Sequence, residues 1–357
     1  MMPLPARSTS STPISNRVGR FYLVREIGRG AAGTVYVARD PVIDRNVAIK
    51  ISSVRTNPAE KKQIDQQLIN EARAAGRLCH PNIVTIYDAG TENGSSYIAM
   101  EYLQGAVLAK RLEAGEKFTP EQVAAISGKL ADALGHAHKN GVTHRDVNPS
   151  NIFLSDEFEP KIFDFGIARA PNRIAEDGDD DDQPYTLFRN NLLGTPNYMS
   201  PEQATGKPAD QLTDVYSLGA VMYEMLAQRK PFQSETTEAL LEAIAYKAPQ
   251  APHEINPGVP IGLSQIVMKA MSKRTEKRYQ SAQEMAQDIQ RHVHLGRLQA
   301  KAAAAGPTVT TTTPEIEKIK QEIEQDSQRS RFSAISILAL GALFGAALAV
   351  GGYFLLH

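Results

Sequence analysis

An acid, an amide and a second acid lie close together near the middle of the chain. Asp146 and Asn151 belong to the segment 143–151, and Asp164 follows thirteen residues after Asn151. A carboxylate can orient a hydroxyl group and accept its proton, while carboxylate and amide oxygens are suitable ligands for Mg²⁺. Phosphoryl transfer requires little more, because its barrier is lowered mainly by positioning the reactants and neutralising charge. The spacing therefore predicts a site for phosphoryl transfer.

A glycine-rich turn upstream is the first element that would position the reactants. Gly28, Gly30 and Gly33 lie between two predicted strands, and glycines let a backbone approach phosphate groups closely. A dinucleotide-binding fold would place a helix after these glycines, whereas a strand follows them here. A P-loop is also excluded, since no Gly-Lys-Ser/Thr sequence closes the turn. The turn predicts a phosphate cover of another type.

Lys50 is the second candidate phosphate ligand. It lies in the apolar strand predicted over 47–51, where burying a lysine is costly unless its charge is used. We expect its ammonium group to face the α- and β-phosphates, oriented by Glu71 on the helix predicted over 61–78. The alternatives are a lysine that extends from an edge strand into solvent and a glutamate that is simply solvated. Glu60, at the start of that helix, is a poorer partner.

The elements around these residues change character along the chain. Strand-like alternation dominates up to residue 102, and helical periodicity dominates from there to residue 295. Strands are predicted over 21–27, 34–38, 47–51, 83–87 and 97–102, and helices over 61–78, 120–138, 214–227, 237–245, 263–271 and 282–295. A small β-rich lobe followed by a larger helical lobe is an α+β arrangement with a cleft between the lobes.

Composition limits the classes of partner and compartment. The 357 residues carry a formal net charge of −1, without a basic stripe interleaved with aromatic residues, so we expect no nucleic-acid partner. The single cysteine, Cys79, excludes an internal disulfide and fits a reducing compartment. The segment 1–20 is rich in Ser, Pro and Arg and has no apolar core. It predicts a disordered leader rather than a secretion signal.

The C-terminal segment predicts a membrane anchor. Residues 332–356 contain no charged side chain, and this run of 25 residues exceeds the roughly 20 that a helix needs to cross a bilayer. A buried soluble helix is the alternative, although few such helices are apolar on every face. Arg329 and Arg331 precede the span, so we expect a single pass through the cell (inner) membrane and a cytoplasmic remainder. Gly341 and Gly345 form a weak small-xxx-small pattern that offers a contact for a homodimer.

The order of these motifs resembles that of the protein kinase family. Residues 194–203 read Gly-Thr-Pro-Asn-Tyr-Met-Ser-Pro-Glu-Gln, which is typical of serine/threonine rather than tyrosine kinases. More narrowly, the chain is similar to bacterial membrane-anchored serine/threonine kinases of the eukaryotic-like type. The resemblance covers residues 21–295 and implies the two-lobed α+β protein kinase fold. The implied division is a leader (1–20), an N-lobe (21–103), a C-lobe (104–295), a juxtamembrane linker (296–331) and one transmembrane helix (332–356).

The resemblance also assigns roles to residues. It implies ATP and Mg²⁺ as cofactors, with Mn²⁺ as an alternative metal, and serine or threonine hydroxyl groups of proteins as acceptors. Asp146 would be the catalytic base, and Lys50, Glu71 and Asn148 complete the catalytic set. Asn151 and Asp164 would hold the metal. Nucleotide contacts are implied for Ile27, Gly28, Arg29, Gly30, Ala31, Ala32, Gly33, Thr34, Val35, Ala48, Lys50, Glu101 and Leu103, with Leu154 as a further adenine contact and Met100 behind the adenine.

Four further residues have structural counterparts in the family. Asp214 would brace the backbone of the His-Arg-Asp segment, and Thr195 would bond to Asp146. Glu202 and Arg278 would form a buried ion pair. These roles concern the shape of the site rather than the reaction itself.

Asn148 departs from the family pattern. Serine/threonine kinases usually have lysine at this position, where its charge helps to neutralise the γ-phosphate. Asparagine donates a hydrogen bond but carries no charge, so slower turnover is expected. A pseudokinase scaffold at the membrane is therefore the alternative function, although Lys50, Asp146 and Asp164 are all present. A small-molecule phosphotransferase is disfavoured, because the Gly-Thr-Pro and Ser-Pro-Glu segments are intact.

The segment 164–202 contains the candidate regulatory features. Thr186 is the only threonine between the Asp-Phe-Gly motif and Gly194. We expect phospho-Thr186 to pair with Arg145 and to order the segment. The acidic run 176–182 offers the alternative that its carboxylates replace the phosphate. A solvated loop is the simplest interpretation of that run.

Overall fold

Antiparallel pairing of short strands organises the first part of the chain. The structure, a computed structural model, describes residues 17–30, 33–52, 58–92, 94–165 and 196–304. The sheet has the strand order β1-β2-β3-β4-β6-β5. Its strands are β1 Arg17–Val18, β2 Phe21–Gly30, β3 Gly33–Asp40, β4 Arg45–Ile51, β5 Ile86–Glu92 and β6 Ser95–Glu101. Because β1 pairs with β2, the fold begins inside the predicted leader 1–20.

Side chains of the central strands alternate between two hydrophobic clusters, one on each face of the sheet. Val47 and Ile49 belong to the first cluster, whose other members are Phe21, Ala38, Tyr97 and Ala99. Ala48 belongs to the second, with Ala72, Val84, Ile98 and Met100. Ala72 lies on helix α1 (Pro58–Ala75), so this helix covers the second face. Lys50 shares that face with Ala48, because the two residues are two positions apart.

The predicted strand over 83–87 is wrong in its first half, since β5 begins at Ile86. The preceding residues run beside β9 (Pro160–Ile162): Val84 N donates to Ile162 O at 3.0 Å, and Ile162 N donates to Asn82 O at 2.9 Å. The Asn82 side chain adds a bond to Pro160 O at 2.7 Å. An apolar run predicts extended backbone but does not reveal which sheet it joins. This segment connects the two lobes.

Helices form the second part of the chain. They are α2 Leu108–Glu113, α3 Pro120–Lys139, α4 Pro201–Ala204, α5 Gln211–Ala227, α6 Thr237–Tyr246, α7 Pro252–Ile255, α8 Ile261–Ala270 and α9 Ala282–Ala304. The longer helices confirm the predicted ones within a few residues, except that α9 continues beyond residue 295. The short helices α2, α4 and α7 were not predicted, because four to six residues show too little periodicity. A sheet lobe followed by a helical lobe confirms the α+β prediction.

Helix α5 is buried along almost its whole length and is the centre of the helical lobe. The side chain of Asp210 caps its first turn by accepting the N–H of Leu212 at 2.8 Å. Helix α8 packs closely on it at Gly219, where a Cβ would lie 2.8 Å from the Cβ of Ala270. Helix α3 packs on another side and begins with a capping box between Thr119 and Gln122.

A small antiparallel sheet positions the segments that carry the candidate chemistry. Its strands are β7 Ala106–Val107, β8 Ile152–Leu154 and β9 Pro160–Ile162. A 3-10 turn, Pro149–Asn151, leads directly into β8. Asp164 follows two residues after the end of β9. The acid, the amide and the second acid are thus attached to adjacent strands.

The chain divides into two compact units, Met1–Gln290 and Arg291–His357. In the second unit the described residues continue helix α9 to Ala304. Across the described ranges, every helix is too short or too polar to cross a bilayer. The predicted span 332–356 and most of the predicted linker 296–331 lie outside those ranges.

Candidate active site

Asp214 of α5 fixes the backbone that carries the catalytic candidates. Its fully buried carboxylate accepts the N–H groups of His144 at 2.8 Å and Arg145 at 2.7 Å. His138 Nε2 lies 2.7 Å from the same carboxylate. Arg145 has φ 63°, in the left-handed region that costs a non-glycine residue about 1 kcal/mol or more. The bracing geometry implied for Asp214 is therefore present.

Two asparagine side chains surround Asp146. Nδ2 of Asn148 and Nδ2 of Asn151 donate to its carbonyl oxygen at 3.0 and 2.9 Å. Asn151 also donates to Asp146 Oδ2 at 3.1 Å. Asn148 Oδ1 accepts the N–H of Ser150 at 2.9 Å and so caps the 3-10 turn. Both ends of the Asn148 amide are engaged within this loop.

The segment that follows β9 is held by burial of Phe165. Phe165 is buried, and its ring centroid lies 4.7 Å from that of His144. His144 Nε2 donates to the carbonyl oxygen of Phe163 at 2.9 Å, and Nδ1 accepts the N–H of Asp146 at 3.2 Å. This pair of bonds requires the tautomer with its proton on Nε2. Asp164 has φ 61°, which turns its carboxylate back toward β4.

Lys50 and Asp164 meet between the two lobes. Lys50 Nζ lies 2.5 Å from Asp164 Oδ2, and the two side chains are only 11% and 20% exposed. Their attraction is stronger there than in bulk water. Asp146 is linked to the segment that carries Asp164. Its hydrogen-bond partner Asn151 accepts the N–H of Phe163 at its carbonyl oxygen, at 3.1 Å. The structure therefore brings together the residues predicted to contact phosphate, metal and acceptor.

The predicted Lys50–Glu71 pair lies partly outside the described part of the chain. Glu71 is on α1, but its side chain is not described. The pairing stays a prediction, and the described carboxylate in contact with Lys50 is Asp164. The sequence alone did not predict this contact, because 114 residues separate the partners. The sequence did contain one indication of it, since Lys50 and Asp164 were both expected to act on the same triphosphate.

The glycine turn contains one position where the fold itself requires glycine. Gly33 has φ 151°, and a Cβ there would lie 2.2 Å from the carbonyl oxygen of Ile51. A Cβ at Gly28 or Gly30 would meet no described atom within 4 Å, so the described fold leaves room for a side chain at both positions. Residues 31–32, both nucleotide candidates, lie outside the described ranges.

Two charged nucleotide candidates already have partners. The Arg29 guanidinium pairs with Glu26 at 2.7 Å on the surface. The Glu101 carboxylate pairs with Lys161 at 2.8 Å, and the Glu101 N–H donates to the carbonyl oxygen of Thr85 at 2.9 Å. Contacts from Arg29 and Glu101 to a nucleotide would therefore use their remaining backbone groups.

Four of the apolar nucleotide candidates converge, whereas Leu154 does not. Val35 and Leu103 pack against the cluster that contains Ala48 and Met100. Leu154, in contrast, is fully buried on β8 and has no surface to offer an adenine ring. We therefore correct the assignment of Leu154.

Phe153 is the better candidate for that position. It points to the opposite face of β8 from Leu154 and is only partly buried. Its ring lies beside the segment that follows Leu103, since a Cβ at Gly105 would be 3.0 Å from Phe153 Cε1. The two-residue period of a strand was the signal that could have identified it.

The donor set fits a divalent cation that is shared with a polyphosphate. Asn151 directs its nitrogen to Asp146, so its oxygen is the end suited to a cation, and Asp164 adds a carboxylate. Within the described ranges, no group of three or more His, Cys, Asp or Glu residues is arranged to hold a metal ion. Mg²⁺ commonly takes one or two carboxylates and completes its shell with phosphate oxygens and water. These residues suit that mode.

Glu202 and Arg278 form the buried ion pair that the resemblance implies. The guanidinium donates to both carboxylate oxygens at 2.7 Å, and the Arg278 side chain has no exposed surface. Burial alone would raise the pKa of the Glu202 carboxyl, but the bonds and charge of Arg278 outweigh it and lower that pKa below its usual value. The pair attaches α4 to the residues before α9.

The candidate regulatory features, Thr186 and the acidic run 176–182, lie outside the described ranges, as does Thr195, which is expected to bond to Asp146. Arg145, the expected partner of phospho-Thr186, is described, and its Nε is buried without a hydrogen-bond partner among the described residues. An unsatisfied donor of this kind is suited to an anion.

These features define a protein kinase. The chain matches the protein kinase domain model over residues 21–338, and it therefore belongs to this family. The sheet lobe and the helical lobe are the two lobes of its fold.

The chain is similar to several bacterial members of this family. The chain is 36% identical to the serine/threonine-protein kinase PrkC of Bacillus subtilis, over 79% of this chain and 42% of PrkC. It is also 36% identical to PknB of Mycobacterium leprae, over 78% of this chain and 43% of PknB. The solved kinase domain of Mycobacterium tuberculosis PknI is 25% identical, with a TM-score of 0.59 over 77% of this chain and 96% of that chain. The chain spans less than half the length of these two curated relatives.

Proposed function

We propose that this chain transfers the γ-phosphate of ATP to serine or threonine hydroxyl groups of proteins. The observation that carries the proposal is the 2.5 Å contact between Lys50 Nζ and Asp164 Oδ2 beside the segment of Asp146 and Asn151. A cation from one lobe and oxygen ligands from the other suit a metal–triphosphate complex. The relatives PrkC and PknB bear the name serine/threonine-protein kinase, which supports this acceptor class.

Asp146 is the proposed base. Its carboxylate is held by Asn151 at 3.1 Å, and its own N–H and carbonyl oxygen are bonded to His144 and to the two asparagines. The direction of the carboxylate is therefore set before an acceptor arrives, which lowers the entropic part of the barrier. Asp146 would orient the acceptor hydroxyl and accept its proton as the oxygen attacks phosphorus.

The remaining groups would neutralise and align the triphosphate. Lys50 would contact the α- and β-phosphates, and Asn151 and Asp164 would supply oxygen ligands to the metal. Bound Mg²⁺ supplies charge neutralisation of the phosphate oxygens. Val35, Ala48, Leu103 and Phe153 would enclose the adenine, which fixes the distance between nucleotide and Asp146.

A low-activity kinase or pseudokinase scaffold is the second candidate function. Asn148 motivates it, because its amide bonds to Asp146 O and to the N–H of Ser150 rather than extending a positive charge into the cleft. The loop would then lack one of the charges that stabilise the transferring phosphoryl group. ATP binding without transfer would favour this function.

Incubation with labelled ATP, Mg²⁺ and a generic basic protein tests the proposal. The wild-type chain should label itself and the added protein on serine or threonine, whereas Lys50→Met and Asp146→Asn should lose the label. Equal labelling by all three preparations would indicate a contaminating kinase and contradict the proposal. Phosphosite mapping of the products would also identify the modified residues.

Regulation through Thr186 is proposed as part of this function. The buried Nε of Arg145, which finds no hydrogen-bond partner in the part of the chain that the structure describes, supports it, since a phosphate would supply an acceptor. Thr186→Ala should therefore lower substrate phosphorylation, and unchanged activity would refute the switch. If neutralising the acidic run 176–182 alone abolishes activity, the carboxylates rather than a phosphate perform this role.

Membrane attachment through residues 332–356 is proposed from sequence alone. Its length and lack of charge support a single span with the kinase domain in the cytoplasm, and Gly341 and Gly345 support a homodimer contact. Cell fractionation should place the full chain in the membrane fraction and a chain ending at residue 331 in the soluble fraction. Co-fractionation of both would refute the anchor.

A further inference from the structure

The side-chain amide of Gln203 connects two segments of the site. Its Nε2 donates to the carbonyl oxygen of Arg145 at 2.8 Å, and its Oε1 accepts the N–H of Ser200 at 3.1 Å. Ser200 Oγ in turn accepts the N–H of Gln203 at 3.3 Å, which completes a capping box at the start of α4. Both ends of the Gln203 amide therefore have defined partners, and its orientation is fixed.

The bond from Gln203 falls on the peptide unit that immediately precedes Asp146. The carbonyl oxygen of this unit accepts from Gln203, and its N–H donates to His144 Nδ1 at 3.2 Å. The preceding peptide unit donates to Asp214 through the N–H of Arg145. Because Arg145 is in the unfavourable left-handed conformation, these external bonds are what keep the backbone there.

Helix α4 is itself anchored firmly. Glu202 pairs with the buried Arg278 and accepts a bond from Thr213 Oγ1 at 2.8 Å. Ser200 is fully buried, and its hydroxyl lies 3.3 Å from Thr213 Oγ1. A side chain on this helix can therefore act as a fixed support for the loop that it contacts.

We propose that Gln203 is a positioning residue for phosphoryl transfer: its amide transmits the position of α4 to Asp146 by holding the carbonyl oxygen of Arg145. The inference rests on the proposed kinase activity for its kinetic readout. Rotation of the 145–146 peptide would displace the Asp146 carboxylate, and a displacement of about 1 Å can cost about 100-fold in rate.

The most informative variant is Gln203→Glu. Glutamate keeps the capping bond, because either residue serves at this position of a capping box. A glutamate stays ionised at assay pH and cannot donate to Arg145 O. We expect kcat to fall at least about tenfold with the KM for ATP unchanged. Gln203→Met, which also cannot donate, should be similarly slow.

Gln122 provides a matched control in the same protein. It occupies the equivalent position in the capping box of α3, with Oε1 accepting the N–H of Thr119 at 2.8 Å. Gln122→Glu makes the same chemical change without a bond to the catalytic segment. It should have the wild-type kcat and a melting temperature close to that of the wild type.

Two kinetic outcomes would overturn the inference. One is a kcat for Gln203→Glu equal to that of wild type and Gln122→Glu. The other is a loss shared by kcat, the KM for ATP and the melting temperature, which would indicate a purely structural role.

Hydrogen exchange separates this inference from the proposed function. If the wild-type chain transfers no phosphate, the proposed function fails, but the amides of residues 143–148 still report the contact. They should exchange faster in Gln203→Glu and Gln203→Met than in wild type or Gln122→Glu. Equal exchange in all four proteins would overturn the inference.

Discussion

Asn148 caps the 3-10 turn at a position where the family pattern has a positively charged lysine. Its amide closes the 3-10 turn through Ser150 and bonds to the carbonyl oxygen of Asp146, so the loop gains rigidity where relatives of this kinase type usually place a lysine. The sequence identified the change in charge but not the capping bonds, because those depend on the local backbone. Rigidity and charge therefore make opposite contributions to the rate at this residue.

Substitution Asn148→Lys separates those contributions. We expect kcat to rise about tenfold, since a cation is restored beside the transferring phosphoryl group. The free energy of unfolding should fall by about 1 kcal/mol, since an N-cap is lost. Steady-state kinetics and urea unfolding measure the two effects. An Asn148→Ala variant controls for loss of the cap, and a kcat for Asn148→Lys no higher than that of Asn148→Ala would contradict the expectation.

Phe153 and Leu154 are adjacent residues with opposite orientations on β8. Phe153→Ala should raise the KM for ATP about tenfold, because one face of the adenine pocket is lost, and should leave stability nearly unchanged. Leu154→Ala should instead reduce the free energy of unfolding by about 2–5 kcal/mol through a core cavity. Kinetics and denaturant unfolding of both variants check this pair. A KM effect in Leu154→Ala alone would restore the original assignment.

At the scale of elements, most residues that position the site lie at or just beyond the ends of helices and strands rather than in their interiors. The long helices were predictable, since their apolar periodicity repeats over several turns. The strand predicted over 83–87 and the length of α9 were not, because the first depends on a partner sheet and the second continues through Gly296, a residue type that often ends a helix. Lys273 makes another contact outside a helix interior, since it lies in the connection between α8 and α9. Its Nζ bonds to the carbonyl oxygen of Ile244 on α6 and to the hydroxyl group of Tyr216.

The ammonium group of Lys273 should make stability depend on pH. Burial, followed by the charge of Arg278, lowers the pKa of Lys273 to about 7. The unfolded lysine has a pKa of about 10.4, so between these values the unfolded chain binds more protons. The free energy of unfolding should therefore rise with pH above about 7, and this contribution should be lost as the pH falls toward 7.

Substitution Lys273→Met tests that dependence. The variant should show a flatter profile of unfolding free energy between about pH 7 and about pH 9, because the titrating group is absent. Lys269→Met, which removes an exposed lysine of α8, controls for loss of a positive charge. Urea unfolding at several pH values measures the profiles. Parallel profiles for wild type and Lys273→Met would contradict the assignment.

At the scale of the whole molecule, the site depends on two lobes that meet. The motifs predicted which residues belong together, and the structure brings two of them, Lys50 and Asp164, into contact. Sequence could not predict that contact directly, since 114 residues separate the two side chains. Nor could it predict that residues 82–84 would link the lobes through β9. The proposed triphosphate site therefore depends on contact between the lobes rather than on any single motif.

Calorimetric titration with a non-hydrolysable ATP analogue tests this convergence most directly. With Mg²⁺, the wild-type chain should bind one analogue per chain, and Lys50→Met and Asp164→Asn should each weaken binding at least about tenfold, or about 1.4 kcal/mol. Without Mg²⁺, wild-type affinity should approach that of Asp164→Asn. No detectable heat with or without the metal, or equal affinities for all three proteins, would contradict the account.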